Sequence, residues 1–120
     1  MEQEGNTFFI VRNKDKKAVA SFRDIQNLTA LNSEDIRLGL LDIVTTKNRE
    51  IEIDLSGIKL IDSSVFDTFN LLSRLAKRFH SFFYFTHVNK ELMELIELVK
   101  SHAVFDIRIL KEDNQPRNAA

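Results

Sequence analysis

Ile51-Glu-Ile-Asp-Leu-Ser-Gly-Ile-Lys-Leu-Ile-Asp-Ser-Ser64 decides how the chain folds, because the spacing of apolar residues changes across it. From Glu50 to Leu55 apolar and acidic residues alternate strictly, the period of a strand with one face on a core and the other wet or covered by polar groups. From Ser63 onward the period is helical. Val65, Phe69, Leu72, Ala76 and Phe79 form one stripe, widened by Thr68 and Leu75, and Asp67, Asn70, Arg74, Lys77 and Arg78 lie opposite. Asp62-Ser63-Ser64 stands where strand chemistry gives way to helix chemistry. A helix cap needs one acid or hydroxyl to accept an orphan amide and stabilise the end by about 1 kcal/mol. Here an acid and two hydroxyls stand in a row. A phosphate on the first serine would add about two negative charges beside amides that favour an anion, changing the surface far more than the fold.

Outward from this corner the chain reads as five strands and three helices. Thr7 to Arg12 and Lys17 to Phe22 are β-rich runs, and the polar Asn13-Lys-Asp-Lys16 between them predicts an antiparallel hairpin. After a polar bend at Arg23 to Asn32, Ser33 followed by Glu34 and Asp35 predicts a helix start. Ile36, Leu40, Ile43 and Val44 give that helix its inner face, and it ends near Lys47-Asn48. Phe82-Phe-Tyr-Phe85 is an aromatic strand, read as buried under helices; with the strand before Ser63 and the intervening helix it makes a parallel βαβ unit. Asn89 caps a third helix, with Leu92, Leu95, Ile96 and Val99 inward and Glu91, Glu94 and Glu97 outward. Phe105 to Leu110 closes the sheet. The predicted fold is α/β, a single domain with a mixed, mostly parallel sheet of about five strands opening with a β-hairpin. The tail 111–120, which holds the only proline and no apolar period, is expected to be mobile.

Composition narrows the function classes. A chain of 120 residues is one domain's worth and can bury a core unaided. No apolar run approaches the length that crosses a bilayer, and the polar start Met1 to Thr7 lacks the features of a secretion signal, so a cytoplasmic location is expected. With no cysteine, disulfides and cysteine-based zinc sites are excluded. Seventeen basic against eighteen acidic residues, without a basic block, leave no electrostatic footprint for a nucleic-acid backbone.

The quoted stretch resembles the central signature of the STAS domains, the family of bacterial anti-sigma factor antagonists and of the cytoplasmic modules of sulfate transporters. That signature is a strand of the form V-x-x-D-L-S-G-V, a few apolar residues, then D-S-S or D-S-T followed by Gly. Thr29-Ala30 before the first helix and Ser101-His-Ala-Val-Phe-Asp-Ile107 also resemble family features, so the likeness runs from about residue 6 to 110. The resemblance implies a partner-switching module that binds an anti-sigma factor which is also a serine kinase. Such a module is inactivated by phosphorylation on the serine directly after the Asp, here Ser63, and reset by a phosphatase. It implies no catalysis and no cofactor in the chain itself. Asp62 would orient that hydroxyl or shape the kinase contact, and Ser64 is the second hydroxyl. Val65 and Asp67 stand where the family has glycines. Asp67, one turn beyond Ser63, would oppose a phosphate by roughly a few tenths of a kcal/mol. These two departures favour the alternative of a STAS subunit that is not phosphorylated and works within a larger signalling or transport-associated complex. Phe66, off the apolar stripe, is either a docking contact or a side chain folded back on the loop from Arg23 to Asn32. The expected partner-binding set is Asp62, Ser63, Ser64, Val65, Phe66 and Asp67.

Other chemistries find little support. His80, His87 and His102 show no pairing on one helix face, so no metal site is expected. A hydrolase built on Ser63 and His87 lacks a Gly-x-Ser-x-Gly elbow, and three glycines make no phosphate-cradling loop.

Overall fold

The change of period after Leu55 is realised as strand, corner and helix. In the structure, a computed structural model, residues 2–3, 9–101 and 107–110 are described. The strands are β1 (Glu2–Gln3), β2 (Phe9–Lys14), β3 (Lys17–Phe22), β4 (Asn27–Leu28), β5 (Glu50–Asp54), β6 (Leu60–Ile61), β7 (Phe82–Thr86) and β8 (Arg108–Leu110). The helices are α1 (Ala30–Val44), α2 (Ser63–Arg78) and α3 (Lys90–Lys100). The main sheet has the order β1-β2-β3-β5-β7-β8, and β4 and β6 form a separate parallel pair. β2 and β3 are the expected antiparallel hairpin, while β3, β5, β7 and β8 run parallel. The expected tail 111–120, His102, and the ends of the expected outer strands at 7–8 and 105–106 lie outside the described residues.

Alternation along β5 sorts its side chains as expected. Ile51 and Ile53 are fully buried beneath the helices with Phe83 and Phe85 of β7, and the Phe69 ring of α2 meets Phe85 edge-on at 5.2 Å. Ile36, Leu40, Ile43 and Val44 of α1 and Leu92 and Ile96 of α3 complete this core. Glu50, Glu52 and Asp54 point to the other face. There the Tyr84 hydroxyl donates to Glu50, and the Thr86 hydroxyl donates to Glu52 at 2.6 Å.

Four expectations need correction. First, the hairpin turn is Asp15–Lys16 alone, with Asp15 at φ 55°, because Asn13 and Lys14 pair with Ala18 and Lys17. Second, α1 starts at Ala30, not Ser33. Thr29 caps it, its hydroxyl accepting from Leu31 N at 3.3 Å while Asn32 Oδ1 accepts from Thr29 N at 2.9 Å, and Ser33 donates back to Ala30 O inside the helix. This reciprocal box satisfies donors that a cap at Ser33 would leave open. Third, only Phe83 and Phe85 of the aromatic strand lie under helices. Phe82 is exposed on the opposite face, with the Arg108 guanidinium 5.2 Å from its ring centroid. Fourth, the two-residue strands β1, β4 and β6 were not expected; they are too short to carry a period.

One close approach sets the position of α1. A Cβ on Gly39 would lie 2.5 Å from Cε2 of Phe9, a buried ring stacked on Phe22 at 5.4 Å, so the helix can rest on β2 only where a side chain is missing.

Candidate functional site

The site is assembled by the small β4–β6 pair. Register places Asn27 beside Leu60 and Leu28 beside Ile61, and Asp62 N donates to Leu28 O at 3.0 Å. These bonds bring the start of α1 against the start of α2. Asp62 then serves both helix ends at once. Its Oδ1 accepts from Val65 N at 3.1 Å and from the Ser64 hydroxyl at 2.8 Å, and its Oδ2 accepts from Ala30 N, the first amide of α1, at 2.9 Å. Each bond satisfies a donor, two of them amides that a helix terminus leaves open. Desolvation pushes the Asp62 carboxyl upward, but hydrogen bonds from the Ser64 hydroxyl and from the amides of Val65, Ala30 and Ser64 outweigh it and hold the group below the usual range.

The two serines therefore differ. Ser64 is half-buried and its hydroxyl is committed to Asp62. Ser63 is exposed at the first position of α2, and its hydroxyl makes no hydrogen bond among the described residues. Its surroundings are amides at the positive end of a 16-residue helix, flanked by the Asp62 carboxylate. Such a hydroxyl is free to be modified, and an added oxyanion would find amides on one side and a carboxylate on the other.

Val65 and Phe66 do not present themselves to a partner. Val65 is fully buried and Phe66 retains 2% of its surface, so both anchor α2 in the core, and the reading of Phe66 as an aromatic on a wetter flank is corrected. Helical spacing alone assigned that flank to solvent; in the fold it lies within the buried core cluster. Asp67 is exposed one turn beyond Ser63, and Leu71, 43% exposed, follows one turn later on the same ridge. Leu31, 90% exposed in the first turn of α1, and Leu60 of β6 flank the corner. Sequence reading missed these three leucines. The available signal was Leu71, which falls among the polar residues of α2 and off its buried stripe.

The loop between β5 and β6 is pinned at several points. Ser56 N and its hydroxyl donate to Asp54 Oδ1 at 3.0 and 2.6 Å, Gly57 turns the chain at φ +81°, and Asn89 Nδ2 donates to Ile58 O at 3.0 Å. His87 Nδ1 lies 3.0 Å from Asp54 Oδ1, so the imidazole is engaged with that acid. No helix among the described residues is long and apolar enough to cross a membrane.

No family model matches the chain and no curated protein matches it in sequence. Solved structures do match its fold. An anti-sigma-factor antagonist (STAS) domain protein from Planctomyces limnophilus superposes with a TM-score of 0.72 at 20% identity, over 93% of this chain and 97% of that one. A protein assigned as an anti-sigma factor antagonist from Thermotoga maritima gives 0.66 at 17% identity, over 92% and 90%. The anti-sigma factor antagonist SpoIIAA in its unphosphorylated form gives 0.63 at 12% identity, over 92% and 93%. The chain has the STAS fold.

Proposed function

We propose that this STAS-fold chain is an anti-sigma factor antagonist: a cytoplasmic module without catalytic activity of its own that docks on an anti-sigma factor acting also as a serine kinase. Phosphorylation of Ser63 releases it and a phosphatase restores it. The observation that carries this reading is the division of labour at the corner, with Asp62 and Ser64 bound into the helix ends and Ser63 left exposed and without a hydrogen bond among the described residues. A phosphate there would add about two charges at the edge of the docking surface without breaking a bond that holds the fold. Asp62, Ser63 and Asp67 form the polar part of that surface, and Leu31, Leu60 and Leu71 its apolar part. Val65 and Phe66 hold it in place from beneath.

The second reading, an interaction subunit that is never phosphorylated, draws support from Asp67, whose exposed carboxylate one turn away opposes a phosphate. Pull-down with the wild-type chain and with Ser63→Asp, followed by labelled phosphate transfer from ATP by the captured protein, separates the two. Partner switching requires a protein retained only by the wild type that labels wild type and Ser64→Ala but not Ser63→Ala. Equal retention by both baits with no labelling assigns the second reading.

A further inference from the structure

On the sheet face away from the helices, three metal-ligating side chains converge. Glu52 and Asp54 project from β5 to the same side, and His87 follows the last residue of β7, beside Asp54 because Asp54 pairs with Thr86. One donor atom from each lies within 4.8 Å of the other two. Metal bonds of about 2.0–2.2 Å place neighbouring donors of one ion about 3–3.5 Å apart; Asp54 Oδ1 and His87 Nδ1 lie 3.0 Å apart in direct contact, which an ion between them would replace. Two carboxylates also balance a divalent charge, so the ion and its two acids together would be neutral.

The supports of these donors resemble those that hold ligands still. Glu52 is 8% exposed and its second oxygen accepts from the Thr86 hydroxyl at 2.6 Å; Asp54 is fixed by the amide and hydroxyl of Ser56. Hydrogen bonds of this kind orient ligating carboxylates. A cation already stands at the edge: Lys17 Nζ is 3.3 Å from Glu52 Oε1 and 3.9 Å from Glu50 Oε2. An incoming ion would take over its role at Glu52 and leave the ammonium with Glu50.

We propose that Glu52, Asp54 and His87 bind a divalent transition-metal ion, one imidazole nitrogen and two carboxylate oxygens leaving the remaining positions to water. The mixed donor set selects Zn2+ or Mn2+ over Mg2+ and Ca2+, which prefer oxygen alone. The ion would clamp the ends of β5 and β7 where the loop toward Asp62 departs. The proposal stands independently of the function proposed above.

The test titrates the full chain with ZnCl2 by calorimetry and with MnCl2 by amide NMR. The expected result is one Zn2+ site, absent for Mg2+, with Mn2+ broadening centred on residues 52–54 and 86–87. His87→Gly removes the imidazole at a backbone φ of 57° that glycine adopts freely, so it is expected to keep the fold, checked by its amide NMR spectrum, and to weaken Zn2+ binding at least about tenfold. Lys17→Gln removes the competing cation and is expected to tighten binding. His80→Ala, at the opposite end of β7, should change nothing. Absence of Zn2+ binding, equal affinity in His87→Gly, or broadening centred elsewhere overturns the assignment.

Discussion

Asp62 carries more of the local architecture than a single cap, since one carboxylate closes the N-termini of two helices. Asp62→Ala strips acceptors from Val65, Ser64 and Ala30, and the expected cost is about 2 kcal/mol in urea denaturation at neutral pH, near the upper end for one cap. The dependence on pH has a definite sign. Because the folded carboxyl is held below its ordinary value, its contribution is present above the unfolded pKa of about 3.9 and fades as the pH falls through the lower folded value. The stability gap between wild type and Asp62→Ala should therefore be full at pH 6 and shrink below about pH 4; a gap that widens in acid would contradict this. The neighbouring serines separate by the same logic. Ser64→Ala loses the hydroxyl bound to Asp62 and should cost about 1 kcal/mol, whereas Ser63→Ala should leave stability within about 0.5 kcal/mol, as thermal or urea melts would show.

At the scale of elements, the seat of α1 on β2 depends on the absent side chain at Gly39. Alanine favours a helix interior over glycine by about 1 kcal/mol, but its Cβ would meet the Phe9 ring at 2.5 Å, and that ring is itself stacked on Phe22. Overpacking a filled core costs about 1–3 kcal/mol, so Gly39→Ala should destabilise on balance. Combination with Phe9→Leu should recover part of the loss, a coupling read from a double-mutant cycle in urea. The short β4–β6 pair shows a different dependence. It contains four residues, yet it brings Leu28 beside Ile61 and so places Ala30 within reach of Asp62. Helical spacing predicts the residues that α1 and α2 bury, but the contact between their N-termini is made through this pair.

Across the whole molecule, the helix side is a continuous apolar core, and the corner at Asp62 to Asp67 stands at its rim with leucines exposed around it. If this rim is the docking surface, Leu71→Asp and Leu60→Asp should each reduce capture of the partner by about tenfold or more, as loss of an interface anchor does. Melting temperatures should move little, because both side chains lie outside the buried core. Ser63→Asp should likewise keep the fold while losing the partner. A variant that binds as wild type does while carrying both leucine changes would move the docking surface elsewhere.

Much of this protein is written in one dimension. The alternation at Glu50 to Leu55 and the stripe Val65, Phe69, Leu72 and Ala76 are periodic, and periodicity depends only on which neighbours a strand or helix places on one face. The Asp-Ser-Ser corner was equally legible, because a boundary between two periods marks a helix end. What required the tertiary structure was every relation between segments distant in the chain: Phe66 covered instead of wet, Thr29 preferred to Ser33 as a cap, Asp62 shared by two helices, and His87 set beside Asp54. The physical reason is the same in each case. Burial of a flank, satisfaction of an orphan amide and convergence of ligating atoms are decided by which surfaces meet once the sheet register is set, and a single segment carries no record of what will be laid against it.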